Sequence, residues 1–180
     1  MHKPNFFVLT GGPGVGKTTV LRRLASLGEQ VVEETARAVV REAMASGGQE
    51  TPWLDNPAFV AACARRDIAI FDRMAGETRR VLFDRGIIDS HGANGVPPWP
   101  ELDEAVRTRR YNPKVFLFPP WREIYETDAE RRQDWPEAER TFELIRQRLP
   151  ILGYTPVIVP RGDVAWRADF VLQSAAEANP

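Results

Sequence analysis

The chain has 180 residues, 43% of them hydrophobic and 27% charged, and a formal net charge of -1. That length suits one domain with a continuous core and leaves two full domains cramped, while the near-neutral charge supplies no whole-protein field to draw in nucleic acid or an anionic membrane. Cys63 is the single cysteine and His2 and His91 the only histidines, too few for an internal disulfide or a metal centre built on either residue type.

After Met-His-Lys-Pro the chain runs only through FFVL before threonine and glycines, short of the ~7–15 apolar residues of a signal-peptide core. No later run approaches the ~20 apolar residues of a membrane span, so the expected location is the cytoplasm. NFFVLT (5–10) is a short apolar run ending in glycines, the pattern of a buried strand. From Gly16 to Leu27, Val20, Leu21 and Leu24 fall on one helical face, closed by Gly28. QVV (30–32) reads as a second strand and EETARAVVREAMASGG (33–48) as a helix ending in a glycine pair. Asn56-Pro57 opens a further helix, on which Phe59, Cys63, Ile70 and Met74 form an apolar stripe; Cys63 is expected to pack there.

RRVLFDRG (79–86), KVFLFPP (114–120) and TPVIVP (155–160) predict the third, fourth and fifth strands, and the prolines and glycines between 86 and 100 predict a long loop. Each strand is continuously apolar rather than alternating, as expected where helices cover both faces of a parallel sheet. Strands alternating with helices imply βαβ units and a three-layer α/β/α fold with a five-stranded parallel sheet, here as a single domain over 1–180.

Gly11-Gly12-Pro13-Gly14-Val15-Gly16-Lys17-Thr18 fits GxxxxGK(S/T), the P-loop pattern, and lies between a predicted strand and a predicted helix as the motif requires. Glycine is needed because successive backbone N–H groups must face one anion in conformations that a side chain obstructs. The following helix adds its dipole and its unpaired N–H groups. Residues Gly11 to Thr19 are therefore the expected nucleotide-phosphate site, with Lys17 reaching the β- and γ-phosphates and the Thr18 hydroxyl able to ligate Mg²⁺. Lysine occurs elsewhere only at Lys3 and Lys114, which sets Lys17 apart from incidental surface charge.

Many classes of NTPase share this loop. A guanine-specific GTPase would carry an NKxD-type run, which is missing, and a motor or transport ATPase needs more chain; a small kinase fits. Glu33 and Glu34 follow the second strand, where ligands of open α/β sheets bind, and one could orient an acceptor hydroxyl and take its proton. The alternative is charge at a helix N-terminus. Asp84 and Arg85 end the third strand, suited to holding Mg²⁺ and contacting phosphate or substrate respectively; the alternative is a turn with a surface ion pair. Residues 121–140 are dense in both charge signs, with Arg131 and Arg132 just before Trp135-Pro136, and form a candidate lid; a solvated charged helix is the alternative. Ala138, Phe142, Ile145 and Leu149 then share a helical face. Arg161, Gly162 and Asp163 either frame the base or form a turn before a C-terminal helix that packs Val164, Phe170 and Val171.

FVLTGGPGVGKTTVLRRL, VVEETAR and the lid segment together resemble a small AAA-type ATPase/kinase-like P-loop family that includes the ribosylnicotinamide kinase domain of a bifunctional regulator of NAD biosynthesis. The resemblance implies a nucleotide-kinase-like P-loop fold. It also favours Glu34 over Glu33, and places Glu34 and Arg37 in the acceptor pocket as an E-x-x-R element. A D-G-x-R-like lid element corresponds to Asp128-Ala129-Glu130-Arg131, with alanine in place of glycine. The Asp84-Arg85-Gly86 run is similar to an element of thymidylate kinases.

These expectations combine into a phosphotransferase that uses ATP, with GTP as the open alternative, and Mg²⁺ held by Thr18 and Asp84. Lys17, Glu34, Asp84 and Arg131 would carry the chemistry, and Glu34, Arg37, Arg85, Asp128 and Arg132 would bind a small nucleoside-like acceptor rather than nucleic acid. The competing reading is a regulatory module that binds and slowly hydrolyses ATP or GTP. The acceptor and the oligomeric state stay open at this level.

Overall fold

The computed structural model describes residues 1–124 and 135–177. They form two compact units, one made of Pro4–Val32, Arg79–Asp84 and Tyr111 onward, the other of Met1–Lys3, Glu33–Thr78 and Arg85–Arg110. We call them the sheet unit and the helical unit.

The sheet unit contains β1 (Phe6–Gly11), β2 (Gln30–Val32), β3 (Val81–Asp84), β4 (Lys114–Phe118) and β5 (Thr155–Ile158), all parallel, in the order β2-β3-β1-β4-β5. β1 is central and buried along its whole length, which is why its sequence is apolar on both faces. Register pairs Leu9 with Asp84 and Gly11 with Phe118, so the end of β1 lies between the ends of β3 and β4. β5 is an edge strand and half-exposed, a position that tolerates Pro156.

Helices α1 (Lys17–Ser26) and α7 (Val164–Ala176) pack against each other. Val20, Leu21 and Leu24 of α1 and Ala168, Val171 and Ala175 of α7 join Phe7, Leu9, Leu82, Phe116 and Phe118 in one buried cluster. The alternate residues of the strands take no part in it: Phe6 meets the Phe83 ring at 5.1 Å, and Phe83 meets Tyr111 edge-on at 5.4 Å. Helix α6 (Trp135–Ile151) packs on β1, β4 and β5 through buried Ala138, Ile145 and Leu149, three of the four residues expected on its apolar face; Phe142 is half-buried.

The helical unit holds α2 (Thr35–Ser46), α3 (Asn56–Arg73), α4 (Ile87–Ser90) and α5 (Pro100–Thr108). α2 stops at Gly47, whose φ of 70° is a left-handed C-cap that glycine adopts without strain. Asp55 caps α3 by accepting from Ala58 N at 2.9 Å, with Pro57 in the first turn. The unit's apolar centre is Val39, Phe59, Val60 and Cys63.

Three local expectations need correction. The segment 86–100 is not one long loop: it holds the short helix α4, at whose start the Asp89 carboxylate accepts from Gly86 N, and Ala93–Gly95 forms a 3₁₀ turn. The buried stripe of α3 is Phe59, Val60, Cys63, Ala64, Asp67 and Phe71, whereas Ile70 and Met74 are only half-buried. β3, β4, β5 and α2 are also shorter than the segments that predicted them, whereas β2 matches its run and β1 keeps the expected length one residue further on.

Candidate active site

In the sheet unit, β1 delivers the chain into residues 11–16 and α1 begins at Lys17. Gly11 has a φ of 140°, and a Cβ there would stand 2.6 Å from the Phe118 carbonyl, so this tight exit from the central strand admits only glycine. Gly16 caps α1 in the left-handed conformation, φ 81°, and its carbonyl accepts from Val20 N at 3.2 Å. Val15, between the glycines, is buried in the core and anchors the loop.

The Lys17 ammonium folds back over the loop, donating to the carbonyls of Gly11 at 3.1 Å and Gly12 at 3.0 Å. It is 7% exposed, so its charge is held at the loop rather than in solvent. Thr18 Oγ1 donates to Asp84 Oδ2 at 3.4 Å, across the 66 residues that separate the P-loop from the end of β3. Parallel pairing of β1 with β3 creates this meeting, since Asp84 stands beside Leu9 in the register. A hydroxyl and a carboxylate are hard oxygen donors of the kind Mg²⁺ takes, one or two from protein and the remainder from phosphate and water. Among the described residues, no three His, Cys, Asp or Glu side chains are grouped to hold a metal unaided. Thr19 faces outward on α1, exposed.

The helical unit carries a second cluster. Glu34 precedes α2, but its side chain does not cap that helix. Instead its carboxylate accepts from Arg85 Nε at 2.8 Å and from Arg37 Nε at 3.4 Å. Glu33 is exposed and makes no hydrogen bond or ion pair among the described residues, so the two adjacent glutamates have different surroundings. Arg85 adopts a left-handed backbone, φ 66°, and its Nη1 reaches Asp89 Oδ1 at 3.4 Å. Asp89 Oδ2 accepts from Gly86 N at 3.0 Å. A non-glycine residue held at such a φ costs about 1–3 kcal/mol and is found where surroundings over-determine a functional geometry.

Asp67 of α3 completes the cluster. It is 9% exposed and accepts from Thr35 Oγ1 at 2.9 Å. Burial pushes its carboxyl up to about 7; the Thr35 hydrogen bond and the Arg85 charge oppose the rise, and the Asp89 and Glu34 carboxylates add to it. Cys63, one turn before Asp67, has its thiol pushed up to about 12 by burial and packs as expected.

Asp128, Arg131 and Arg132 lie outside the described residues. Before them, the Arg122 guanidinium stacks 5.6 Å from the Trp135 ring. Beyond β5, Asp163 is the N-cap of α7, accepting from Trp166 N at 2.8 Å, and Arg161 donates to the Pro120 carbonyl at 2.9 Å, the arrangement expected of a turn before a helix. Sequence reasoning passed over Asp67 and Asp89, and also Arg167, whose guanidinium donates to the Val15 carbonyl of the P-loop at 2.7 Å. Asp67 offered one signal: it is the only acid among four residues spaced by four from Phe59 to Phe71.

A five-stranded parallel sheet with flanking helices and a phosphate-type loop after β1 defines the P-loop nucleotide-kinase fold. The chain matches the AAA domain family over residues 6–167 and belongs to it. No curated protein sequence matches it. Among solved structures, Acinetobacter baumannii shikimate kinase in complex with shikimate is 19% identical, with 98% of this chain and 94% of that one covered at a TM-score of 0.57. A deoxyadenosine kinase from M. mycoides is 12% identical, covering 96% of this chain and 98% of that one, TM-score 0.62. Thymidylate kinase from Ehrlichia chaffeensis is 15% identical, covering 95% and 97%, TM-score 0.60. These likenesses define the fold. No helix among the described residues is long and apolar enough to cross a membrane.

Proposed function

We propose that the protein is a Mg²⁺-dependent phosphotransferase that moves the γ-phosphoryl of ATP, or of GTP in its place, to a hydroxyl of a small nucleoside-like molecule in the cytoplasm. The observation that carries this reading is the Thr18 hydroxyl facing the Asp84 carboxylate at 3.4 Å, next to a P-loop lysine already folded onto its loop. Membership of the AAA domain family and a fold shared with three small-molecule kinases support it.

In this reading the amides of Gly11 to Thr19 bind the phosphate tail, and Lys17 neutralises charge that builds on the β- and γ-phosphates. Thr18 and Asp84 hold magnesium, which when bound screens the phosphate oxygens from one another. Glu34 orients the acceptor hydroxyl and takes its proton as the new P–O bond forms and the bond to the leaving ADP breaks. Arg85 and Arg37 fix the Glu34 carboxylate and line the acceptor side, joined by Asp128 and Arg132. Arg131 stabilises the migrating phosphoryl. The acceptor is a small molecule rather than nucleic acid.

The test is incubation with ATP and Mg²⁺ and a panel of nucleosides that includes ribosylnicotinamide, together with shikimate and thymidylate. Mass spectrometry is expected to find an acceptor carrying one more phosphoryl group. Folded protein that produces no turnover above the ATP-only blank on the whole panel overturns the reading in favour of a regulatory NTPase.

A further inference from the structure

Arg167 is buried, 3% exposed, on the first turns of α7 in the sheet unit, with no carboxylate partner among the described residues. Its Nη2 donates to the Val15 carbonyl at 2.7 Å, and its Nε is buried with no hydrogen-bond partner. The guanidinium carbon lies 4.9 Å from the Phe118 ring centre and 5.6 Å from that of Trp121. One carbonyl and two ring faces are weak compensation for a buried cation, and loss of hydration makes its protonated form less favourable than in water. Such an arrangement is expensive for a residue whose only task is packing.

The geometry relates this expense to the P-loop. Among the described residues no peptide bond is cis. In a trans peptide the C=O and the next N–H point in opposite directions, so a Val15 carbonyl turned onto Arg167 turns the Gly16 N–H away from it. That N–H has no acceptor among the described residues. A Cβ on Gly16 would lie 2.7 Å from Arg167 Nη1, so glycine at this position also makes room for the guanidinium.

We infer that Arg167 is a positioning residue of the phosphate site: it pins the Val15–Gly16 peptide so that the Gly16 amide faces the nucleotide, and sets an uncompensated positive charge behind the loop. The inference rests on the proposal that the P-loop binds a nucleoside triphosphate. Because the cation costs stability until an anion arrives, its benefit appears in ligand affinity and not in the unliganded fold.

The experiment compares wild type with Arg167→Met, which retains bulk between the rings but loses both donor and charge, and with Arg167→Lys, which retains the cation. ATP affinity is measured by calorimetry, thermal stability without ligand by circular dichroism, and the Gly16 amide resonance by ¹⁵N NMR during titration with ATP. Expected are a loss of about tenfold or more in ATP affinity for R167M, an unliganded Tm equal to or above wild type, partial recovery of affinity in R167K, and a diminished shift of Gly16. Should R167M not fold, Arg167→Gln is titrated in its place, with the same expectation. Affinity within about threefold of wild type in a folded neutral variant overturns the inference, as does a loss of affinity with the Gly16 shift intact. Failure of the wild type itself to bind ATP strikes at the phosphotransferase reading, and that titration comes before any variant.

Discussion

The two units hold their charges in different ways. In the sheet unit the proposed phosphate site is contiguous, residues 11–19, and consists largely of backbone, with Lys17 bonded to the carbonyls of its own loop. In the helical unit the cluster is assembled from side chains of three separated segments: Glu34 and Thr35, Asp67, and Arg85 with Asp89. A backbone site tolerates change at most of its side chains but depends on its glycines and lysine. A site made of carboxylates around a guanidinium depends on each partner, and its charge can vary with pH. The difference suits a division of labour between a phosphate tail common to all nucleotides and an acceptor that must be chosen.

If that division holds, the largest effect belongs to the P-loop. Lys17→Met removes a buried cation from the phosphate site and is expected to lower turnover by about a hundredfold to a thousandfold, the range for loss of one preorganised electrostatic group. ATP affinity, measured by calorimetry, should fall as well. Binding and turnover near the wild-type values would remove the chemical distinction between the two regions.

The next effect separates the adjacent glutamates. Glu34→Gln is expected to reduce kcat by about a hundredfold or more while ATP affinity stays within about twofold, since the change lies on the acceptor side. Glu33→Gln, on an exposed side chain with no partner among the described residues, should leave both within about twofold. Steady-state kinetics with the acceptor found in the panel, alongside ATP calorimetry, decides. Equal losses from both substitutions would mean that Glu34 acts only as surface charge.

The sequence makes the first region far more legible than the second, for a physical reason. A P-loop must be local, because neighbouring amides have to converge on one anion, so the glycines, Lys17 and Thr18 appear together in the chain. The inner strands β1, β3 and β4 are legible for a similar reason: burial on both faces requires unbroken apolar runs. The order β2-β3-β1-β4-β5, and with it the meeting of Thr18 and Asp84, depends on pairing between distant segments. Asp67 was hidden because Arg65 and Arg66 beside it make that stretch of α3 look solvated. Arg167, between Trp166 and Ala168, likewise resembles an ordinary surface arginine. Asp128, Arg131 and Arg132 belong to the reading drawn from sequence alone.

The last expected effect is on stability rather than on turnover, and pH gives it a definite sign. Asp67 titrates near 3.9 in an unfolded chain and near 7 in the folded one, chiefly because burial disfavours its charge. Between those values the folded state keeps a proton that the unfolded state has released. Its stabilising contribution is therefore complete below about pH 4 and is lost progressively as pH rises through about 7, a loss on the order of a few kcal/mol. Asp67→Asn retains an oxygen to accept from Thr35 but has no proton to lose. Whatever constant offset the amide introduces, the Tm of D67N relative to wild type should rise from pH 4 to pH 8 by several degrees and then level off. Thermal unfolding at closely spaced pH values checks this. A difference that does not change with pH would mean that Asp67 is already ionised at low pH in the folded protein, and the helical cluster would then carry a fixed charge, as the P-loop does.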